Sequence, residues 1–312
     1  MKTQNIACVR SHSQGYFRQI LRLCIALALG SIFAPTAQAG PGVGSHDETL
    51  MHDGVLRQYR LHVPTGHNAN QAMPLVLMLH GRGGNGKGFE QTTGMSEVAD
   101  KENFLVAYPY AVGKPPAWTS GLNEDLNNGD DIGFLKALIN KLESAYKIDP
   151  HRIYCAGFSS GATMSEVVGA KLSEKVAAIG VVEGYIGTEQ NGHHHIVPNP
   201  AVPVSLIEFH GKLDQTTPYN GGHNPYLPNG VVLPVSKSID FWVNHDGCDT
   251  TPNVQNMDNG TIERDAYRSG KQGTEVVFFS LAQGKHQWPT PSVIGISASN
   301  HIWEFFKAHP KQ

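Results

Sequence analysis

The chain has 312 residues and is 40% hydrophobic, 16% charged and 8% aromatic, a globular balance that excludes a disordered chain and suffices for a sizeable core. Its 24 basic and 27 acidic residues give a net charge of −3. The first 39 residues hold Lys2, Arg10, Arg18 and Arg22 and no acid, so the rest carries 20 basic against 27 acidic residues, a net −7, which argues against nucleic acid or anionic membrane as partners.

The chain opens with that basic leader. An apolar run from Ile20 to Phe33 follows, then the small-x-small site Ala37-Gln38-Ala39. This order predicts a secretory signal peptide over 1–39, removed on export. No later segment is long enough to span a bilayer, so no membrane association is expected after cleavage. Cys8 and Cys24 leave with the leader, and Cys155 and Cys248 are too few for a disulfide framework.

Beyond the leader, strand-like and helix-like runs alternate. Val55–Val63 alternates apolar and polar residues, as a half-exposed strand does, and Pro74–His80 and Phe104–Pro109 are continuous apolar runs, as buried parallel strands are. Asp130-Asp131 starts a helix whose apolar residues recur at helical spacing through Tyr146. Arg152–Phe158 reads as a strand and Ser160–Leu172 as a helix. Ala177–Val182, Val204–Phe209 and Glu275–Leu281 are further buried strands, and Ser236–His245 and Ser299–Ala308 close the series as helices. The Pro- and Gly-rich stretch 218–234 is a long excursion, not a linker. Such alternation predicts one α/β domain over 40–312, a mainly parallel sheet with helices on both faces.

Gly157-Phe158-Ser159-Ser160-Gly161 lies between a buried strand and a helix. A nucleophile elbow requires that setting: small residues flank a tight turn that lifts the serine hydroxyl above the sheet edge. A serine hydroxyl needs a base, and the base an orienting carboxylate, in the chain order Ser, acid, His. Asp214 lies just past strand 204–209 and His286 just past strand 275–281, where open α/β sheets place their sites. The rivals are worse placed. His301 is inside a helix, His309 is nearly terminal, His223 sits in the excursion, and Asp240 and Asp265 follow no buried strand directly. His80 and His210 precede glycines at strand ends and read as residues that shape loops by bonding backbone. The backbone N–H groups of Ser160 and Arg82 are the expected oxyanion donors, and Trp118 and Trp288 the expected pocket rings.

Two other patterns lead away from acyl transfer. Gly81 to Gly86 satisfies GxGxxG, but the next strand ends at Tyr108-Pro109-Tyr110 without the acid a dinucleotide site needs, and Gly88 replaces the Ser or Thr of a phosphate loop. His193-His194-His195 reads as a solvated loop, since consecutive side chains diverge. No metal and no cofactor are expected.

These residues together resemble the secreted polyhydroxybutyrate-depolymerase-like esterases, which are similar to feruloyl and acetyl-xylan esterases on the α/β-hydrolase fold. The likeness runs through Asp53-Gly54, Arg57-Gln58-Tyr59, Val63-Pro64, Pro74–Gly84, Ala107-Tyr108-Pro109, Trp118, Asp130–Phe134 and Ile148–Tyr154 into the elbow, and then through His210-Gly211, Asp214, Pro218-Tyr219, His286 and Trp288-Pro289. It implies a Ser159–Asp214–His286 triad and an ester substrate: a polyester, a feruloylated or acetylated glycan, or a small ester. Arg82 stands where the family often has Cys, Gly161-Ala162 where it has Gly-Gly, and Lys285 where Gly commonly precedes the histidine. Cys248 matches a family cysteine, without a partner in the expected downstream region. A peptidase or acyltransferase on the same fold, or a non-catalytic glycan-binding homologue, are the alternative functions.

Overall fold

The computed structural model describes residues 40–122 and 129–312; the leader expected over residues 1–39 lies outside the described residues. Its strands and helices in chain order are β1 (Gly44–His52), β2 (Val55–Val63), β3 (Met73–Leu79), α1 (Gly86–Thr93), α2 (Met95–Glu102), β4 (Leu105–Pro109), α3 (Asp131–Ala145), β5 (Ile148–Phe158), α4 (Ser160–Lys171) and β6 (Ala178–Val182). There follow β7 (Gly187–Gln190), β8 (His193–Ile196), β9 (Ser205–Gly211), β10 (Gly222–His223), β11 (Gly230–Val232), α5 (Val235–Asp246), β12 (Asn253–Met257), β13 (Ile262–Tyr267), β14 (Val276–Leu281), α6 (Pro291–Ile294) and α7 (Ala298–Ala308).

Ten strands form one sheet in the order β1-β2-β4-β3-β5-β6-β9-β14-β13-β12. The central six, β4 to β14, are parallel throughout, so their carboxyl ends share one edge. Each sequence-read strand and helix is present, with ends displaced by a residue or two, except that β5 begins four residues earlier, at Ile148. The antiparallel margins bring additions: β1, which pairs with the expected β2 on one side, and β12–β13 on the other. The strands β1 and β12 carry exposed polar residues, so they lack the apolar run that betrays a buried strand.

Side chains alternate across the sheet and build two cores. Leu75, Leu77 and Leu79 of β3 join Phe134, Val167 and Trp242 on the face of α3, α4 and α5. Val76 and Met78 join Phe89, Met95, Trp303 and Phe306 on the face of α1, α2 and α7. The double-aspartate helix start divides its labour. Asp130 caps α3 by accepting the Gly133 N–H at 2.8 Å, while buried Asp131 pairs with Arg57 at 2.6 Å and accepts the Thr119 N–H at 2.7 Å. A buried carboxylate so paired and bonded is anchored in place.

The excursion at 218–234 is not structureless. Its β10 and β11 join β7 and β8 in a four-stranded sheet, order β10-β11-β7-β8. The three consecutive histidines therefore form an edge strand, not a loop, and His194 Nδ1 lies 3.3 Å from Glu189 on the neighbouring strand. Short strands of mixed polarity leave no clear period-two signal. Cys155 and Cys248 are buried and unbridged, and burial pushes the Cys155 thiol up to about 12. Among the described residues no helix is long and apolar enough to cross a membrane.

Candidate active site

The carboxyl edge of the parallel strands gathers the chemistry-bearing side chains. Ser159 follows β5 directly with φ 55° and ψ −120°, and starts helix α4. Its N–H bonds the Val182 carbonyl at the end of β6 at 2.9 Å. The glycines around it are a steric necessity. A Cβ on Gly157 would stand 2.3 Å from the Gly161 backbone, and one on Gly161 would stand 2.0 Å from the Leu79 carbonyl oxygen. Both obstacles are main chain and cannot rotate aside. Gly161→Ala is therefore expected to cost about 3 kcal/mol of stability, and a thermal melt beside a circular-dichroism spectrum checks it.

His286 Nε2 lies 2.9 Å from Ser159 Oγ, and His286 Nδ1 lies 2.7 Å from Asp214 Oδ2. The other Asp214 oxygen, Oδ1, accepts the N–H groups of Thr216 and Thr217 at 2.7 and 2.8 Å, which fixes the carboxylate plane. Burial alone would raise the Asp214 carboxyl. Hydrogen bonds from His286 and Glu183, the nearby imidazole and the Thr217 N–H hold it below the ordinary carboxylate range. His286 is partly open, its side chain 19% exposed, while that of Asp214 is fully covered. The ring of Phe158 packs on the imidazole at 4.9 Å between centroids.

The loop after β3 lies alongside. A Cβ built on Gly81 would come within 3.3 Å of Ser159 Cβ, so the Gly81-Arg82 backbone borders Ser159. The Gly81 carbonyl is bonded by the Gly84 N–H at 3.0 Å and by His80 Nδ1 at 2.7 Å. His80 Nε2 accepts the Ala111 N–H at 3.0 Å, which places the ring proton on Nδ1. Burial lowers the pKa of this imidazole and keeps it neutral. Both of its nitrogens are committed to backbone, so it is no rival base. Because the C=O and N–H of one planar peptide point in opposite directions, pinning the Gly81 carbonyl also aims the Arg82 N–H. The Gly83 N–H is spent on the Pro116 carbonyl at 2.7 Å. Ser160, the first residue of α4, has an N–H of the kind that lacks an intrahelical partner.

The remaining rivals stand elsewhere. Asp240 is exposed on α5, Asp265 lies within β13, His223 is on β10, and His301 and His309 are on and after α7. His210 lies 2.8 Å from the Thr217 carbonyl, to which its Nε2–H donates, and so braces the acid loop.

The two tryptophans do not line a pocket, contrary to the expectation. Trp118 is 1% exposed, with its indole N–H on the His80 carbonyl at 2.8 Å and its ring against His80. Trp288 is 5% exposed and packs edge-on to Phe89, its N–H toward Ser299 at 3.2 Å. Each is packing that supports a site loop. A more exposed ring near the β3 loop is Tyr226, 55% exposed, 5.4 Å from the Arg82 guanidinium. It comes from the excursion, between β10 and β11 of the small sheet.

Sequence reasoning also missed a buried acidic cluster beside Asp214. Glu183 directly follows β6, and Glu166 on α4 meets Glu208 on β9 through Ser238 Oγ, 2.6 Å from each carboxyl. One hydroxyl has a single proton to give, so one of those carboxyls is itself protonated. Burial and the Glu208 charge push Glu166 up to about 8. An acid at the carboxyl end of a buried strand, as Glu183 is, was the available signal.

Comparison with known proteins agrees with this architecture. Residues 57–198 match the family model described as Esterase PHB depolymerase. Feruloyl esterase C of Emericella nidulans is 25% identical over 294 residues, covering 90% of this chain and 96% of that protein. Feruloyl esterase B of Piromyces equi is 26% identical over 229 residues, or 72% of this chain and 41% of that longer protein. Among solved structures, an acetyl xylan esterase from Aspergillus awamori superposes with a TM-score of 0.60 at 18% identity, covering 85% of this chain and 99% of that one. That level of identity speaks to the fold alone. Residues 57–198 are thus similar to the esterase family described as Esterase PHB depolymerase, and the chain has an α/β-hydrolase fold.

Proposed function

We infer that the protein hydrolyses carboxylic esters through an acyl-enzyme on Ser159. The observation that carries this reading is the continuous chain Ser159 Oγ–His286 Nε2 at 2.9 Å and His286 Nδ1–Asp214 Oδ2 at 2.7 Å. As Ser159 attacks the ester carbonyl, His286 Nε2 takes its proton, and ionised Asp214 holds the imidazole in the accepting tautomer and stabilises its charged form. The N–H groups of Ser160 and Arg82 face the developing oxyanion. His286 then protonates the leaving alcohol, and water, activated by the same imidazole, releases the acid. These steps use side chains and backbone of this chain alone.

The exposed Tyr226 ring beside the oxyanion loop favours an aromatic acyl group, in line with the relatives named feruloyl esterases. Methyl ferulate, hydroxybutyrate oligomers and acetylated xylan, each beside a matched amide, form the test. Methyl ferulate is expected to give the highest kcat/KM, and Tyr226→Ala to lower it about tenfold, a loss of roughly 1.4 kcal/mol of transition-state binding. Cleavage of the amide as fast as the ester would contradict the esterase assignment. The basic leader, apolar run and Ala37-Gln38-Ala39 support export with removal of residues 1–39. An intact mass of exported protein that still contains them would contradict that part.

A further inference from the structure

We propose that Glu183 carries a proton and donates it in a hydrogen bond to Asp214, as a positioning residue that keeps the triad carboxylate ionised and aligned. This rests on the assignment of Asp214 as the triad acid.

Glu183, His210 and Asp214 each offer an atom within 4.8 Å of the others. Glu183 Oε2 lies 3.4 Å from His210 Nε2, which in turn lies 3.8 Å from Asp214 Oδ2, and all three side chains are 0 to 1% exposed. Glu208, also 0% exposed, approaches His210 Nδ1 from below at 3.8 Å. Three carboxyls thus crowd one imidazole, and a fourth, Glu166, follows through Ser238. Among the described residues no Lys or Arg pairs with any of them. Burying that many negative charges together is prohibitive, so protons must be retained.

The hydrogen-bond pattern says where one resides. Asp214 Oδ1 accepts two backbone N–H groups and Oδ2 accepts from His286, an environment made for a carboxylate. Glu183 has a single backbone donor, the Gly211 N–H, shared between its oxygens at 3.1 and 3.2 Å. Burial, the bond to Asp214 and the Asp214 charge raise Glu183 well above the ordinary range. The chain also accepts strain to set it there: Glu183 has φ 54°, held by its N–H on the Phe209 carbonyl at 3.0 Å. A metal ion is a poor alternative, because His210 Nε2–H is spent on the Thr217 carbonyl.

The acidic limb of the kcat/KM–pH profile tests this, because its direction of movement depends on the proton. In Glu183→Leu the donor to Asp214 is lost, Asp214 holds the imidazolium of His286 more tightly, and the limb moves to higher pH by about 0.5–1 unit. Glu183→Gln keeps both an acceptor for Gly211 and a donor for Asp214, and restores the wild-type limb. An ionised Glu183 would give the opposite sign: each variant would remove a negative charge and move the limb to lower pH. That result, or a limb that neither variant moves, overturns the proposal. If Glu183→Leu fails to fold, infrared difference spectroscopy of wild type against Glu183→Gln at pH 8 decides. Loss of one protonated-carboxyl band supports the proposal, and loss of a carboxylate band overturns it. Asp214→Asn runs beside them: full activity there would sink the triad itself, whereas an inactive Asp214→Asn with an unmoved limb in the Glu183 variants sinks only this inference.

Discussion

Ser159→Ala is expected to lower kcat roughly 10⁶-fold while leaving the fold unchanged. The serine hydroxyl is the atom that His286 Nε2 reaches at 2.9 Å, so alanine removes the proposed nucleophile and nothing that packs. The strained turn at φ 55° and ψ −120° is set by the close approach around Gly157 and Gly161, not by the hydroxyl. Stability should therefore stay within about 0.5 kcal/mol of wild type. Residual hydrolysis comes only from oxyanion stabilisation and binding. Hydrolysis of a short-chain nitrophenyl ester and a thermal melt on the same preparation separate chemistry from folding.

The second large effect is at the acid. Asp214→Asn is expected to lower kcat about 10⁴-fold, with KM little changed. The direction follows from the bonds. Thr216 and Thr217 donate to Oδ1 at 2.7 and 2.8 Å, so the asparagine carbonyl oxygen takes that position and its NH2 turns to His286 Nδ1. An N–H facing Nδ1 forces the ring proton onto Nε2, the nitrogen that must accept from Ser159. The base is then present in the wrong tautomer. A pH–rate profile distinguishes this from misfolding, because higher pH partly restores a base in the wrong tautomer but not a collapsed site.

What made the site legible was its dependence on local, one-dimensional features. The elbow reads from sequence because steric limits at Gly157 and Gly161 leave no other residues possible. Asp214 and His286 read because each directly follows a continuous apolar run, β9 and β14, whose parallel neighbours place their carboxyl ends on one edge. What stayed hidden depends on partners distant in sequence. Trp118 and Trp288 looked available for substrate because nothing in the chain announces that their N–H groups are met by the His80 carbonyl and Ser299. The sheet of β10, β11, β7 and β8 escaped because strands of two to four residues carry too little periodicity. With it escaped the placement of Tyr226 over Arg82. Glu183 was passed over because one triad needs one acid, and only packing reveals a second carboxyl against the first.

The most direct measurement is active-site titration with a fluorophosphonate, followed by mass spectrometry of the labelled peptides. One adduct per chain is expected, on Ser159, with esterase activity falling in proportion to labelling, and a sharply slower reaction in His286→Ala. An adduct on another residue that tracks the loss of activity, or full ester hydrolysis by protein in which Ser159 is quantitatively labelled, would contradict it.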